Sequence, residues 1–221
     1  MASGGIPLWK PGKLLHEGAE ATVTSGSWLG KKAVLKSRRA RGYRHPDLDR
    51  RLTRQRMAAE ARALSRLSSV GFPSPKLMFL EQRESSMLLS MVEGRTLHDL
   101  LKSDDASGEE LRSLGGLIRR LHEIGISHGD LTTHNVMATT SGTLHLIDFG
   151  LSRLSPELEH MGLDLQVLRE CLSASHSAIP DAIEKICEGY LDAEKPNYGT
   201  ESAENVVDRF RKIAGRVRYH G

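Results

Sequence analysis

Residues 128–135 read His128-Gly129-Asp130-Leu131-Thr132-Thr133-His134-Asn135, and residues 144–150 read Leu144-His145-Leu146-Ile147-Asp148-Phe149-Gly150. An acid and an amide five residues apart on a loop can face one small volume. There the carboxylate of Asp130 accepts a proton or orients a nucleophile, and the amide oxygen of Asn135 binds a metal. Asp148 closes an apolar strand and precedes a glycine that permits a turn. A carboxylate so placed is a hard oxygen ligand for Mg2+. One D-x-x-x-x-N carries no weight alone. The run H-x-D-L-x-x-x-x-N, an apolar strand and then D-F-G is specific, and it decides the fold.

That run is the catalytic-loop and metal-loop pair of protein kinases. Such a fold also needs a strand lysine for the α- and β-phosphates and a helix glutamate to hold the lysine. Ala33-Val34-Leu35-Lys36 has the A-V-x-K form on an expected strand, and Glu60 lies 24 residues later in an expected helix. Its neighbours Ala58, Ala59, Ala61 and Ala63 are small enough to let that helix approach a sheet. A helix glutamate by itself is a surface residue; beside Lys36 and Asp148 it reads as the lysine's partner.

The loop that should cover the phosphates departs from the kinase pattern. Glu17-Gly18-Ala19-Glu20-Ala21-Thr22-Val23 keeps one glycine of the usual three, which leaves less freedom for N–H groups to wrap a phosphate. Glu20 adds a negative charge there. Only 71 residues follow Gly150, too few for the usual peptide-binding platform. Ser155-Pro156-Glu157 follows Gly150 too closely to be the A-P-E landmark and reads as a chance match. Asp164 fits two readings equally: a brace under the catalytic loop, or an acid at a helix N-terminus.

Around these motifs the chain changes character near residue 93. Residues 12–36 read as a hairpin or meander and 37–46 as a basic loop. A helix is expected from about Pro46 to Leu67, closed by Gly71 and Pro73. Residues 76–93 read as two strands about Glu84-Ser85-Ser86. Leu111, Leu114, Ile118 and Leu121 mark a helix over 109–124 stopped by Gly125, and 162–191 look helical. The fold class expected is α+β and bilobal, protein-kinase-like. It has a β-rich N-lobe over 1–93, a truncated helical C-lobe over 94–208 and a basic tail over 209–221.

Composition sets the outer limits. Of 221 residues 38% are hydrophobic, ordinary for a globular protein. No apolar run suggests a membrane span, and the N-terminus lacks the pattern of a secretory signal. Cys171 and Cys187 are too few for a disulfide framework and lie in no metal-ligand spacing, so they read as reduced thiols in an intracellular protein. The net charge of +3 hides +8 over residues 1–60, −10 over 61–208 and +5 over 209–221. Residues 31–56 alone hold 11 Lys and Arg against Asp47 and Asp49. Arg38, Arg39, Arg41 and Arg44, with Arg216 and Arg218, are expected to form a surface for RNA backbone or for an acidic partner.

Arg41-Gly42-Tyr43-Arg44-His45-Pro46-Asp47-Leu48-Asp49, the helix ending Glu60-Ala61-Arg62-Ala63-Leu64, His128-Gly129-Asp130-Leu131-Thr132-Thr133 and Ile147-Asp148-Phe149-Gly150-Leu151-Ser152 resemble the PRPK-type kinases. This is the small atypical serine/threonine kinase/ATPase subunit of the KEOPS (EKC) complex. The resemblance covers roughly residues 14–195 and includes the single-glycine loop and the short back lobe. It implies binding of ATP and Mg2+, and ATP hydrolysis coupled to threonylcarbamoyl-adenosine modification of tRNA. It also implies a cytoplasmic and nuclear location. Carried over by position, Lys36 and Glu60 anchor the nucleotide, and Asp130 is the catalytic aspartate with Lys36. Asn135 and Asp148 are the magnesium ligands. Gly18, Ala19, Glu20, Val23 and Ala33 enclose the nucleotide, with Ser90, Met91 and Val92 as the adenine hinge. The implied partners are other KEOPS subunits, chiefly the metal-dependent transferase and a small regulatory subunit on the N-lobe. The tRNA joins in the assembled complex, and no membrane is involved. The family's compact Arg-Gly-Arg-Lys-Arg tail is replaced by Arg211-Lys212-Ile213-Ala214-Gly215-Arg216-Val217-Arg218-Tyr219-His220-Gly221.

Three other classes compete. An autonomous protein kinase fits the motifs, although the short segment after Gly150 disfavours broad peptide recognition. A non-enzymatic scaffold would need none of Lys36, Asp130, Asn135 and Asp148 together. Small-molecule phosphotransferases share H-G-D-L but typically continue with an acidic turn in place of D-F-G.

Overall fold

Alternating side chains separated by tight turns make the front of the chain a meander. The computed structural model describes residues 6–18, 21–38, 45–103, 108–194 and 201–217. Strands β1 (Trp9–Glu17), β2 (Ala21–Trp28) and β3 (Lys31–Arg38) follow one another. Leu29 and Gly30, both at positive φ, make the two-residue β2–β3 turn whose twist suits a hairpin. β3 extends two residues into the stretch expected to be loop.

Helix α1 (Pro46–Ser69) begins where proline costs no hydrogen bond, and the His45 ring accepts the Asp47 N–H. It buries Met57, Glu60, Ala63, Leu64 and Leu67, one helical stripe. β4 (Leu77–Glu81) and β5 (Ser86–Ser90) complete an antiparallel sheet in the order β1-β2-β3-β5-β4. β3 is therefore central, and its register sets Lys36 opposite Val23 on one side and Met87 on the other. Met1–Val92 form one compact unit and Glu93–Gly221 a second.

The second unit starts with β6 (Gly94–Thr96) and α2 (Leu97–Lys102), whose first turn is capped by the Thr96 hydroxyl accepting from the Asp99 N–H. α3 (Gly108–Glu123) buries Leu111, Leu114, Ile118 and Leu121. Then come β7 (Ile126–Ser127), β8 (Val136–Thr139), β9 (Leu144–Leu146), β10 (Arg153–Leu154), α4 (Leu158–Ser175), α5 (Ala182–Asp192) and α6 (Ala203–Val217). β6, β8 and β9 form one small sheet, β7 and β10 another. Helices α3 and α5 touch backbone to backbone. A Cβ on Gly115 would lie 2.0 Å from the Ile186 carbonyl oxygen, and one on Gly189 would lie 2.0 Å from that of Arg112.

Two expectations need correction. Residues 162–191 are two helices: α4 stops at Ser175, and a turn containing Pro180 leads to Asp181, the residue before α5, whose carboxylate pairs with Lys185. The basic stretch from residue 209 is no tail as far as Val217. It is the second half of α6, whose Val206, Val207, Phe210 and Ile213 are buried, and Arg209 is ion-paired to Glu159 of α4. Glu157, of the Ser155-Pro156-Glu157 run, caps α4. Among the described residues no helix is long and apolar enough to cross a membrane.

Candidate active site

In the first unit, Lys36 and Arg38 stand two apart on β3, so their side chains leave the same face. Both reach Glu60 of α1: Lys36 Nζ lies 2.8 Å from Oε1 and Arg38 Nη2 3.0 Å from Oε2. Glu60 is 1% exposed. A buried carboxylate is tolerable only when paired, and here each oxygen has its own cation. This corrects the expectation for Arg38, which is no surface cation but a buried one committed to Glu60. Arg39, Arg41 and Arg44 lie outside the described residues, as do Arg218 and the loop residues Ala19 and Glu20.

The remaining first-unit positions lie on the strands of the same sheet or at their ends. Gly18 closes β1 with its N–H on the Ala21 carbonyl at 3.0 Å. Val23 is opposite Lys36, and Ala33, fully buried, is opposite Ser90. Ser90 ends β5 with its hydroxyl accepting the Lys76 N–H, and the Met91 N–H reaches the Lys32 carbonyl at 3.4 Å. Val92 follows as the last residue of the unit.

In the second unit, the β8–β9 hairpin places the metal-ligand candidates. Val136 pairs with Leu146, and at the next step the Ile147 N–H donates to the Asn135 carbonyl at 2.9 Å. Asn135 and Asp148 thus emerge from the same open end of the hairpin. The Asn135 amide nitrogen donates to the Asp130 carbonyl at 2.8 Å and to its Oδ2 at 3.2 Å. Its amide oxygen takes no hydrogen bond among the described residues. Asp148 holds a left-handed backbone, φ +61°, and its Oδ1 accepts the Gly150 N–H at 3.3 Å. Aspartate tolerates that region better than most residues. Phe149, fully buried, packs against the His128 ring with centroids 4.9 Å apart.

The catalytic segment is held from beneath by Asp164 of α4. Its Oδ2 accepts the His128 N–H at 2.6 Å and its Oδ1 the Gly129 N–H at 2.8 Å. Of the two readings of Asp164, the structure shows the brace. Gly129 has φ +79°, and a Cβ there would lie 2.2 Å from the Leu151 carbonyl oxygen, so the turn admits glycine alone. Asp164 also meets His122 Nε2 at 3.1 Å, whose Nδ1 meets the Tyr190 hydroxyl at 2.8 Å. Burial pushes that phenol well above its usual range, and the Arg119 guanidinium lies over its ring.

A second cluster surrounds Thr133, which the motif leaves without a role. Its hydroxyl lies 3.2 Å from His176 Nε2, 3.4 Å from Cys171 Sγ and 3.5 Å from His98 Nδ1. His98 stacks on His134 at 3.8 Å. Burial, first, and then neighbouring imidazoles and Lys102 lower the pKa of His98 and of His176. Sequence spacing offers no sign of this cluster, because its members come from α2, the loop, α4 and the residue after it.

Residues 17–169 match the family described as lipopolysaccharide kinase (Kdo/WaaP). The KEOPS complex subunit Bud32 of Pyrococcus abyssi is 31% identical, over 94% of this chain and 96% of its own length. The chain belongs to the Kdo/WaaP kinase family and, within it, to the Bud32 group. A bifunctional tRNA threonylcarbamoyladenosine biosynthesis protein of Methanothermobacter thermautotrophicus is 33% identical over 99% of this chain. The chain spans 38% of the length of that relative. Among solved structures, the Rio2 kinase–ADP/Mg2+–phosphoaspartate complex of Chaetomium thermophilum matches with a TM-score of 0.62 at 17% identity. That match covers 95% of this chain and 72% of the other. The Bud32-group chain thus has a bilobal, protein-kinase-like α+β fold with a β-rich first unit and a helical second one.

Proposed function

We propose that the chain is an ATP-dependent atypical serine/threonine kinase and ATPase serving a KEOPS-type complex in threonylcarbamoyl-adenosine modification of tRNA. The observation that carries the reading is the Lys36–Glu60 pair. Residues 24 apart meet at 2.8 Å inside the first unit, where a lysine held by a carboxylate can present its charge to phosphate oxygens. Val23 lies opposite this lysine in the register of β2 and β3, with Gly18 at the end of β1 and Ala33 three residues earlier on β3. Ser90, Met91 and Val92 supply the backbone for an adenine edge.

In the second unit the Asn135 amide fixes the Asp130 carboxylate, which orients the attacking hydroxyl or water and takes its proton. The donor set of Asn135 and Asp148 fits Mg2+. The amide nitrogen is spent on Asp130, which leaves the amide oxygen for an ion, and Asp148 brings a carboxylate, a hard oxygen donor, to the same open end of the hairpin. Two oxygen ligands suit an ion that completes its shell with phosphate and water. When bound, Mg2+ neutralises charge on the phosphates. The chain leaves Gly150, pairs as β10 with β7 and enters α4 at Leu158, a short path that favours hydrolysis over recognition of long peptides.

The partners in this reading are other KEOPS subunits, among them the metal-dependent transferase and a small regulatory subunit on the N-lobe, acting in cytoplasm and nucleus. Phosphate release from ATP should require Mg2+, disappear in Lys36→Met and Asp130→Asn, and rise when the transferase partner and tRNA are added. Turnover by folded variants at the wild-type rate would overturn the site. Unchanged tRNA modification without this chain would overturn the role.

A further inference from the structure

Arg51, Arg54, Arg62 and Arg66 lie along α1 at steps of three, eight and four residues. At about 100° per residue they fall within an arc of roughly 120° on one helix face, and at 1.5 Å per residue they span about 22 Å. All four are exposed. Among the described residues none of them hydrogen-bonds or ion-pairs. Between Arg51 and Arg66 the one acid is Glu60, buried on the opposite face. Upstream, Asp47 is paired with Arg50 and Asp49 is buried. Like charges three and four residues apart destabilise a helix, so the stripe is a standing electrostatic cost.

We propose that this face of α1 binds the phosphate backbone of RNA; that the polyanion is RNA rests on the function proposed above, whereas the surface itself does not. Between the arginines the face exposes Gln55 and Ser65 and the half-buried Ala58, with no aromatic or long aliphatic side chain. A protein partner would need such an anchor at the centre of its footprint. Phosphates need guanidinium forks, and every cation in the stripe is arginine. Without aromatics to stack on bases, contact is to backbone and is blind to sequence.

The experiment titrates the purified full chain with a tRNA transcript at several salt concentrations. Four phosphate contacts give a slope of log K against log salt near −3, about a 60-fold loss between 50 and 200 mM. Replacing all four arginines with glutamine, a good helix former, should flatten the slope and weaken low-salt binding at least tenfold. Basal ATP hydrolysis should stay as it was, and the melting temperature should hold or rise as the repulsion is relieved. A second variant, Lys10→Gln with Lys13→Gln, Lys31→Gln and Arg83→Gln, removes the same charge from other exposed positions and should bind nearly as wild type. An equal loss in that variant would reduce the effect to net charge and overturn the proposal. Absent wild-type binding, or wild-type binding by the four-glutamine variant, would overturn it too. Competition by poly-glutamate as strong as by tRNA would make the face a site for an acidic protein instead. A chain that binds tRNA but never hydrolyses ATP would sink the catalytic reading and leave this one standing.

Discussion

Arg38 donates to Glu60 at 3.0 Å from the same strand face that presents Lys36 to the other oxygen of that carboxylate. The glutamate is held from two sides by one strand, so its approach to the lysine is built into the sheet. Arg38→Met should weaken nucleotide binding several-fold and lower stability by about 1.5–3 kcal/mol, the range for a hydrogen bond to a charged group. Arg38→Lys should recover part of both. Calorimetric nucleotide titration alongside thermal melts checks it; intact affinity in Arg38→Met would mean that Lys36 alone positions the carboxylate.

Lys36 and Glu60 should behave as one unit. Lys36→Met removes phosphate anchoring, and Glu60→Gln gives a related, weaker defect. In a double-mutant cycle on nucleotide affinity the two should be non-additive by about 0.5–3 kcal/mol. Additive losses would show that the pair does not act on the nucleotide together.

Asp148→Asn should cut ATP turnover by about 10²–10³-fold with the fold retained, since asparagine tolerates the left-handed backbone. Asp148→Ala should lose turnover similarly and also stability, by about 1–2 kcal/mol, because alanine at φ +61° is strained. Hydrolysis rates and melting temperatures separate the two effects. A melting temperature equal in both variants would deny the strain.

Acid should loosen the second unit through His98 and His176. Both have folded pKa values below the usual 6.5, so the unfolded chain binds their protons first. Their contribution is intact above pH 6.5 and is lost as pH falls through that value toward the folded pKa values. Around them stand His134, Thr133, Cys171, Lys102 and Asp99, of which Asp99 alone opposes the shift at His98. Replacing His176 with Asn should flatten the melting-temperature profile below pH 6.5. A profile unchanged from wild type would assign the acid sensitivity to other groups.

The catalytic run and the strand lysine were legible because each is a local pattern: an acid, an amide and a turn fixed by spacing. Glu60 was legible only through Lys36, a partner 24 residues away. Arg38 was not, because a cation inside Ser37-Arg38-Arg39-Ala40-Arg41 has the composition of a solvated loop, while pairing with Ala21 and an N–H bond to the Ser85 carbonyl hold it in the strand. Asp164 stayed balanced between two readings, since one acid on a helix does not announce two backbone N–H groups from a distant turn. The break between α4 and α5 was carried by Pro180, which the loose amphipathic pattern obscured. In α6 the apolar positions 206, 210 and 213 keep helical spacing, yet the five cations after residue 208 drew the reading toward a tail.

The docking of α6 on α4 changes what shortening the chain would measure. Ending it at Asp208 removes Arg211, Lys212 and Arg216, but it also strips away Phe210 and Ile213 and leaves Glu159 without Arg209. The α4 surface around Gly162, which meets Arg209, Phe210 and Ile213, would then face water, and the second unit would become sticky and prone to associate. Lost activity in such a shortened protein would report damage to the scaffold beneath the catalytic loop, since α4 also carries Asp164. Charge at this end is better probed by single exchanges at exposed Arg216, which leave the helix seated.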